Sequence, residues 1–379
     1  MRNRRDRTIA FLMVLPTLIL IGIFVYFFIG KAIFTSTTDW GENPQQPALA
    51  ENVVTSDVGL QNYDKLMTNV IQANFRNSLA NTFFFTLFFV VGSTVLGMFL
   101  AILLDQRIVA EGFFRTVFLF PMALSFVVTG TIWRWLLQPS GGINLLPTLV
   151  GLQPMHFNWL NSKETWLAFR WEAVPQYVTF VGFAVLTIIA VRRALSHDWR
   201  TARFAAAAAV IILLVFVAGL WNYVWLPLDS AEAEQAIAPK GFNAALLGII
   251  IAAVWQMSGY VMAIFIAGIR GIPEDLREAA RVDGCGEIGV YRYIILPQLS
   301  PFVLSAMIVL GHISLKIFDL VFAMAGPDNA RTVVPGMLVY TKGFRQNSFA
   351  SASAIAVIML FLVALIIVPY LWTQLRSSK

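Results

Sequence analysis

Between Ala244 and Ile269 the chain has the sequence AALLGIIIAAVWQMSGYVMAIFIAGI, which contains no aspartate, glutamate, lysine or arginine. A bilayer core of about 30 Å is crossed by about 20 apolar residues, because an α-helix rises about 1.5 Å per residue. A helix also satisfies all of its own backbone hydrogen bonds, which lipid cannot do. The run therefore predicts a membrane-spanning helix.

Similar apolar blocks, separated by short charged segments, recur along the chain and predict an all-α polytopic membrane protein with about eight transmembrane helices. The first block is too long for a signal peptide and is followed by no A-x-A-like cleavage site, so we expect it to be retained. The predicted spans are Thr8–Gly30, Leu79–Leu104, Phe113–Leu137, Val174–Val191, Phe204–Leu226, Ala244–Ile269, Pro301–Ala323 and Ala352–Trp372.

The composition agrees with a membrane protein. Of the 379 residues, 58% are hydrophobic and 13% are charged, and the mean hydropathy is +0.72. An average soluble domain is about 25% charged, so a soluble enzyme, a disordered chain and a coiled coil are excluded. The single cysteine, Cys285, permits no disulfide within the chain and no cysteine-based metal site.

The distribution of basic residues predicts that both termini face the cytoplasm. Arg192, Arg193, Arg200 and Arg203 fall in one short loop between predicted spans, and the next loop is acidic. Short loops rich in arginine and lysine stay on the cytoplasmic side. Basic residues in cytoplasmic loops account for the sequence pI of about 9.5, so no nucleic-acid partner is expected.

Sequence signals for a cofactor or a catalytic site are absent. The Gly30-Lys31 pair is followed by alanine, so neither the phosphate-binding loop nor its magnesium-binding hydroxyl is present. No H-E-x-x-H or G-x-S-x-G motif occurs, and the three histidines fall in three different predicted locations. We therefore expect no cofactor and no metal on this chain.

A different kind of segment, GIPEDLREAARVDGCGEIGVYRYIILP, occupies Gly271–Pro297. A proline followed by two acidic residues favours a helix start, and this helix can extend to Val282. Gly284 and Gly286 end it, and a second short helix can follow as far as Ile295. The segment predicts a helix-turn-helix, here called the bracket, along the inner membrane face. An ordinary amphipathic connecting loop is the alternative.

The bracket resembles the EAA loop of permease subunits of binding-protein-dependent ABC importers, in particular the carbohydrate branch typified by the maltose transporter. The resemblance lies in a Glu-Ala-Ala triplet, a glycine that follows after three intervening residues, and an Ile-x-Leu-Pro motif that follows after nine more intervening residues. The matching residues are Glu278, Ala279, Ala280, Gly284, Ile294, Leu296 and Pro297. As the resemblance implies, these residues would couple the chain to an ATPase.

The resemblance implies a six-helix permease core, here with two extra helices inserted between the third and the sixth helix. The expected organisation is residues 1–30 as an N-terminal transmembrane helix, 31–78 as an external loop, 79–164 as the first part of the core with its external loop, 165–240 as the inserted helix pair, and 241–379 as the second part of the core with the coupling loop 271–297.

By the same resemblance, the chain would import a mono- or disaccharide across a prokaryotic cell membrane. Its partners would be a second and different permease chain, two ATPase subunits that hold ATP and magnesium, an external solute-binding protein, and membrane lipid. A phosphorylated polyol is an alternative solute. An ion-coupled carrier is a rival interpretation, but this sequence shows no evident internal repeat of the kind such carriers often have. A membrane-embedded transferase using His312, Lys316 and Asp319 is another rival.

Polar and aromatic residues inside the predicted spans are candidates for the solute pathway, since uncompensated polar groups are costly in lipid. Sugars bind through hydrogen bonds and stacking on aromatic rings. The candidates are Trp255, Gln256, Ser258, Tyr260, His312, Ser314, Lys316 and Asp319. Lys316 and Asp319 are three residues apart, so on one helix they would share a face and form an ion pair.

Overall fold

The structure is a computed structural model that describes residues 4–43, 48–49, 53–68, 73–106, 109–168, 174–218 and 241–377. Within these ranges six helices are long and apolar enough to cross a membrane, or up to eight if each of two bent helix pairs counts as one span. The predicted fold class, an all-α polytopic membrane protein, is confirmed.

The described elements are almost entirely helical. The helices are α1 (Arg4–Ile21), α2 (Phe28–Ser36), α3 (Gln61–Thr68), α4 (Ala73–Asp105), α5 (Glu111–Ala123), α6 (Phe126–Leu136), α7 (Val174–Leu195), α8 (Trp199–Val217), α9 (Ala245–Arg270), α10 (Glu274–Val282), α11 (Glu287–Val290), α12 (Leu296–Gln298), α13 (Ser300–Leu315), α14 (Asp319–Ala325), α15 (Pro335–Tyr340) and α16 (Phe349–Ser377). Wider π-helical turns at Gly22–Phe27, Tyr291–Ile295 and Thr341–Arg345 continue neighbouring helices, Gly142–Val150 is a 3-10 helix, and the strands are β1 (Thr165–Ala168) and β2 (Gly241–Asn243).

Helices α4 and α9 form the centre of the bundle and pack closely along their lengths. Small residues permit this approach, as is usual for helix pairs in lipid. A Cβ atom added at Gly97 of α4 would lie 2.6 Å from the Cβ atom of Val261 on α9. The large side chains of Phe85, Phe89 and Phe265 are fully buried around this contact. The remaining helices are arranged around this pair.

The third predicted span, Phe113–Leu137, is wrong as a single straight helix. It is two helices, α5 and α6, bent by 100° at Leu124 and Ser125. Pro121 weakens the end of α5 because proline has no backbone N–H. The Ser125 hydroxyl then caps α6 by accepting a hydrogen bond from the Val128 N–H. The break is therefore encoded by a helix stop followed directly by a helix start.

The seventh predicted span, Pro301–Ala323, is also wrong as one helix. α13 ends at Leu315, and α14 begins at Asp319 with Phe318 as its N-cap residue in a non-helical conformation. The loop that follows α14 is bound to the N-terminal half of α4. There the Asn81 amide donates hydrogen bonds to the backbone carbonyls of Arg331 and Val333. A neighbouring helix thus satisfies backbone carbonyls of this loop.

Helices α7 and α8 form a peripheral hairpin that packs chiefly against itself. The fifth predicted span, Phe204–Leu226, corresponds to α8, which runs from Trp199 to Val217; the predicted end at Leu226 lies outside the described residues. Strands β1 and β2 flank the hairpin in the sequence and pair antiparallel, which the sequence did not indicate. Apolar side chains such as Phe180 and Phe204 are exposed on the hairpin, as expected of a helix pair that contacts lipid.

Gly259 offers a test of the contact between α5 and α9. A Cβ atom at this position would lie 2.1 Å from the backbone carbonyl oxygen of Phe118. Overpacking of this kind costs about 1–3 kcal/mol, so we expect Gly259→Ala to lower the melting temperature of the purified chain in detergent. The matched control is Gly311→Ala, since no atom lies within 4 Å of its added Cβ. Equal melting temperatures for the two variants would contradict the packing.

Candidate functional site

The first limb of the bracket is helix α10, which begins and ends where the sequence predicts. Pro273 is its N-cap residue, and Glu274 and Asp275 occupy its first turn. The two carboxylates are favourable there because a helix N-terminus carries partial positive charge. The limb projects from the end of α9 as a separate short helix, as predicted for the first half of the bracket.

The turn of the bracket is a Schellman C-cap centred on Gly284. The N–H of Cys285 donates to the Ala280 carbonyl at 2.9 Å, and the N–H of Gly284 donates to the Arg281 carbonyl at 3.1 Å. Gly284 has a φ of +88°, a conformation that costs other residues roughly 1–2 kcal/mol. Ala280 and Cys285 supply the apolar contact that commonly accompanies this motif.

The second limb runs continuously toward the next span. α11 is extended by the π-helical turn and by α12, and the whole limb meets α13 at an angle of 62°. Val290 and Ile295 on this limb are buried in the same hydrophobic core as Ala280. The inner face of the bracket is therefore packed against the bundle on both limbs.

The outer face of α10 is exposed and mixed in character. Leu276 is 43% exposed and Val282 is 87% exposed. With Ala279 they form a stripe of small and apolar side chains at a spacing of three residues. Glu278 is exposed next to this stripe and makes no hydrogen bond or ion pair with the described residues. Exposed apolar side chains rimmed by charge are typical of a protein-binding surface.

Two further residues of the bracket face the bundle and not this outer surface. Ala280 is buried, and the Tyr291 hydroxyl donates to Asp105. Of the other motif residues, Ile294 is partly buried, whereas Leu296 and Pro297 are exposed.

Arg281 joins the two limbs of the bracket. Its guanidinium group donates to Glu287 at 3.0 Å and to Glu274 at 3.3 Å. The hydrogen bond to Glu287 is the main reason why the pKa of Arg281 is raised, so this side chain stays charged. The pairs are exposed and contribute little to stability individually. The pair with Glu287 connects the two limbs, whereas Glu274 lies on the same limb as Arg281.

A buried polar cluster fastens the bracket to the bundle. The carboxylate of Asp105, the last residue of α4, accepts hydrogen bonds from Arg277 at 3.2 Å and from the Tyr291 hydroxyl at 2.6 Å. Arg277 also donates to the backbone carbonyl of Ile269 near the end of α9 at 2.9 Å. Sequence reasoning missed this cluster. The available signal was a carboxylate at the C-terminus of an apolar helix, where the dipole disfavours negative charge.

A second ionic contact lies beside the first. Glu111, at the start of α5, pairs with Arg115 on the same helix and with Arg270 at the end of α9. These side chains are considerably more exposed than Asp105 and Arg277, and none of them belongs to the bracket.

Comparison with known proteins gives the family. Residues 93–377 match the model of the family described as "Binding-protein-dependent transport system inner membrane component". The chain belongs to this family.

Individual relatives agree with the assignment. The chain is 33% identical over 382 residues to "Probable ABC transporter permease protein PH1215" of Pyrococcus horikoshii, and the match covers 100% of both chains. It is 30% identical to a xylose/arabinose import permease protein of Haloferax volcanii, over 75% of this chain and 65% of the relative.

A solved structure shares the fold. It is the crystal structure of a bacterial alginate ABC transporter in complex with an alginate pentasaccharide-bound periplasmic protein. The TM-score is 0.63 at 15% identity, and the similarity covers 99% of this chain and 96% of that one. The chain is thus a multi-pass membrane component of a transport system.

In this transport component, several pathway candidates make contacts between or within helices. The Gln256 amide donates to the Leu124 carbonyl at 2.7 Å and so covers the break between α5 and α6. Ser314 is buried and accepts a hydrogen bond from Thr86 on α4. Ser258 donates to the Trp255 carbonyl of its own helix. These three side chains satisfy polar groups of the protein in the conformation described.

Trp255 is the candidate that lines a cavity. Its ring meets the Trp133 ring edge-on, with centroids 5.8 Å apart. The cavity has a volume of about 710 Å³, and Phe88, Trp166 and Phe242 also line it. Tyr260 and His312 are half-buried outside this cavity, and no hydrogen-bond partner of the His312 Nδ1 atom is found among the described residues.

The predicted ion pair between Lys316 and Asp319 does not form. Because α13 ends at Leu315 and α14 begins at Asp319, the two residues no longer share a helical face. Both side chains are exposed, and none of the ion pairs between described residues joins them. Whether either one contacts solute stays a prediction.

The turn of the bracket can be tested with two glycines that differ only in conformation. Gly284→Val should make the backbone amides of α10 exchange hydrogen faster, because valine disfavours positive φ. Gly286→Val is the control, since Gly286 has a φ of −71° and open space around it. Hydrogen–deuterium exchange with mass spectrometry measures both. Equal exchange in the two variants would argue against the C-cap.

The missing ion pair is tested by additivity. We expect the effects of Lys316→Met and Asp319→Asn on thermal stability to add within about 0.5 kcal/mol, as for residues that do not interact. The buried pair of Asp105→Asn and Arg277→Met is the positive control and should be non-additive. If the Lys316→Met, Asp319→Asn double variant is more stable than the single variants, the two wild-type side chains do interact, and the predicted ion pair would be supported.

Proposed function

We propose that this chain is the permease subunit of an ATP-driven importer that translocates a sugar, most simply a mono- or disaccharide, delivered by an external binding protein. The bracket carries this proposal: a short helix with an exposed docking face is fixed to the ends of the two central helices. The Haloferax relative is named for xylose and arabinose import, and the alginate transporter takes a polysaccharide. Both names favour a carbohydrate.

The proposed partners are those of a binding-protein-dependent importer. Two ATPase subunits would hold ATP and magnesium and would receive the outer face of α10, with Glu278 next to basic or amide groups. With this docking, the bracket and both termini would lie on the cytoplasmic side of the prokaryotic cell membrane, as the arginine-rich loops also predict. A second, different permease chain would complete the pathway, and a binding protein would bring solute to the opposite end.

The proposed mechanism is a lever. Closure of the ATPase pair on ATP would displace the bracket, and the helices fixed to it would change from an inward-facing to an outward-facing arrangement. Coupling requires that ATP and the loaded binding protein each favour one of two states of the same element. A rigid bracket meets this requirement better than a loop, because a loop would absorb the displacement.

Solute recognition is assigned to residues of α9, α13 and α14 and of the link between α13 and α14. Trp255 and Tyr260 offer aromatic faces, and Gln256, Ser258, Ser314, His312, Lys316 and Asp319 offer polar groups. Since Gln256 and Ser314 bond to other helices in the conformation described, they would have to exchange those partners in the solute-binding state.

Within the segment 165–240, the inserted helix pair is proposed as a peripheral module outside the pathway, whereas Trp166 of β1 lines the cavity next to Trp255. The described helices α7 and α8 of this segment pack chiefly on each other. The match to the Pyrococcus relative spans the whole of both chains, so this segment is included in that similarity.

The function is tested at Glu278. We expect Glu278→Lys to leave the chain folded, to reduce co-purification of the ATPase subunits severalfold, and to abolish uptake, because the reversed charge would meet a basic surface. Uptake is measured in proteoliposomes with the sugar that stabilises the cognate binding protein in a thermal-shift screen of mono- and disaccharides.

The control is Glu164→Lys, which reverses an exposed charge at the opposite end of α9. Normal uptake by Glu278→Lys would remove the coupling assignment. Uptake by the purified single chain without an ATPase would indicate a carrier instead.

A further inference from the structure

We propose that Asp105, Arg277 and Tyr291 form a latch through which displacement of the bracket is transmitted to the α4–α9 pair, with Asp105 as its positioning residue. The inference rests on the proposed function, which it deepens by naming the atoms that join the bracket to the spans. The EAA motif lies on the outer side of the bracket, whereas the latch lies on its inner side.

Asp105 is placed where a carboxylate needs a partner. It ends the 33-residue helix α4, and the partial negative charge of a helix C-terminus disfavours an acidic side chain there. Its side chain is only 11% exposed, so solvent does little to screen the charge. A buried charge that loses its partner is strongly destabilising, and the Asp105 contacts are therefore expected to persist while the bracket moves.

Arg277 uses the two ends of its guanidinium fork on two different helices. Nη1 donates to the Asp105 carboxylate at the end of α4, and Nη2 donates to the Ile269 carbonyl near the end of α9. The planar fork holds both bonds at once, which the single ammonium group of lysine cannot reproduce in the same geometry. One side chain of α10 thus binds the C-terminal ends of both central helices.

Tyr291 brings the second limb to the same carboxylate. Its hydroxyl donates to Asp105 and accepts a hydrogen bond from the Gln106 amide. Both limbs of the bracket therefore converge on Asp105, and their relative position is set from the inside as well as by Arg281 on the outside.

Without the latch, the covalent connection from α9 to α10 would be the three residues Gly271 to Pro273. A short link that contains glycine can act as a hinge and absorb rotation of α10. With the latch, rotation of α10 must carry α4 and α9, which pack as one unit through the close contact at Gly97. The latch thus converts a hinged attachment into a rigid one.

The first experiment uses the purified full chain and needs no partner. Asp105→Asn should raise the hydrogen–deuterium exchange rate of the amides in α10 and α11 by about tenfold or more, with the centre of α9 unchanged. Glu111→Gln is the matched control, since it removes an ion-paired carboxylate beside the latch that does not contact the bracket. Exchange in Asp105→Asn equal to that in Glu111→Gln would overturn the latch.

The second experiment tests transmission in the complex with the ATPase subunits that co-purify. In a Cys285→Ala background, Gly286→Cys on the bracket and Phe99→Cys on α4 carry the spin labels. Gly286 has open space around it, and Phe99 is exposed. The distance between labels is measured without nucleotide and after trapping with ATP and vanadate. A rigid attachment keeps one narrow distance in both states, whereas Asp105→Asn or Arg277→Lys should shift or broaden it on trapping.

A distance that stays narrow and unchanged in both variants would overturn transmission through the latch. A role limited to stability would lower the yield of folded complex in the variants but would not alter this distance. Failure of any ATPase to co-purify with the wild-type chain would count against the proposed function, and the exchange experiment would still decide whether the latch holds the bracket.

Discussion

Lipid offers no hydrogen bonds, and the bundle departs from straight helices under this constraint. Where a helix breaks or ends within the bundle, its exposed backbone groups need other partners. Gln256 supplies one at the Leu124 break, and Arg277 supplies one near the end of α9. Asn81 does the same for the loop beyond α14. These polar side chains therefore serve first as partners for backbone groups that helices leave unpaired.

The same constraint bears on how the bracket is attached to the bundle. At the end of α4, a carboxylate that would be unfavourable alone draws an arginine from one limb and a tyrosine from the other. The inner face of the bracket is buried by this cluster and by the packing of Ala280, Val290 and Ile295 against the bundle. The outer face, with Glu278 and Ala279, is left without an internal partner. This division between a committed inner face and a free outer face is what a coupling element requires.

The sequence predicted the features that depend on local patterns. Span positions followed from apolar run length, and the bracket followed from Pro273, Gly284 and the acidic first turn, because caps are local signals. The break in the third span was missed although its signals, Pro121 and the Ser125 cap, are local. The break in the seventh span, the β1–β2 pair and the Asp105 cluster were missed, because each depends on residues distant in sequence. The ion pair of Lys316 and Asp319 failed for the same reason: it assumed an unbroken helix, and tertiary contacts decide where a helix is interrupted.

The central claim is that the outer face of α10 docks on an ATP-hydrolysing chain. The most direct measurement places a photo-reactive amino acid at Ala279 in the membrane-embedded complex and identifies the cross-linked protein by mass spectrometry. The same probe at Leu149, which is 81% exposed at the other end of the bundle, is the reference. The account predicts a cross-link to an ATPase subunit from Ala279 and none to it from Leu149. A cross-link to lipid alone from Ala279, or to the ATPase from both positions, would contradict it.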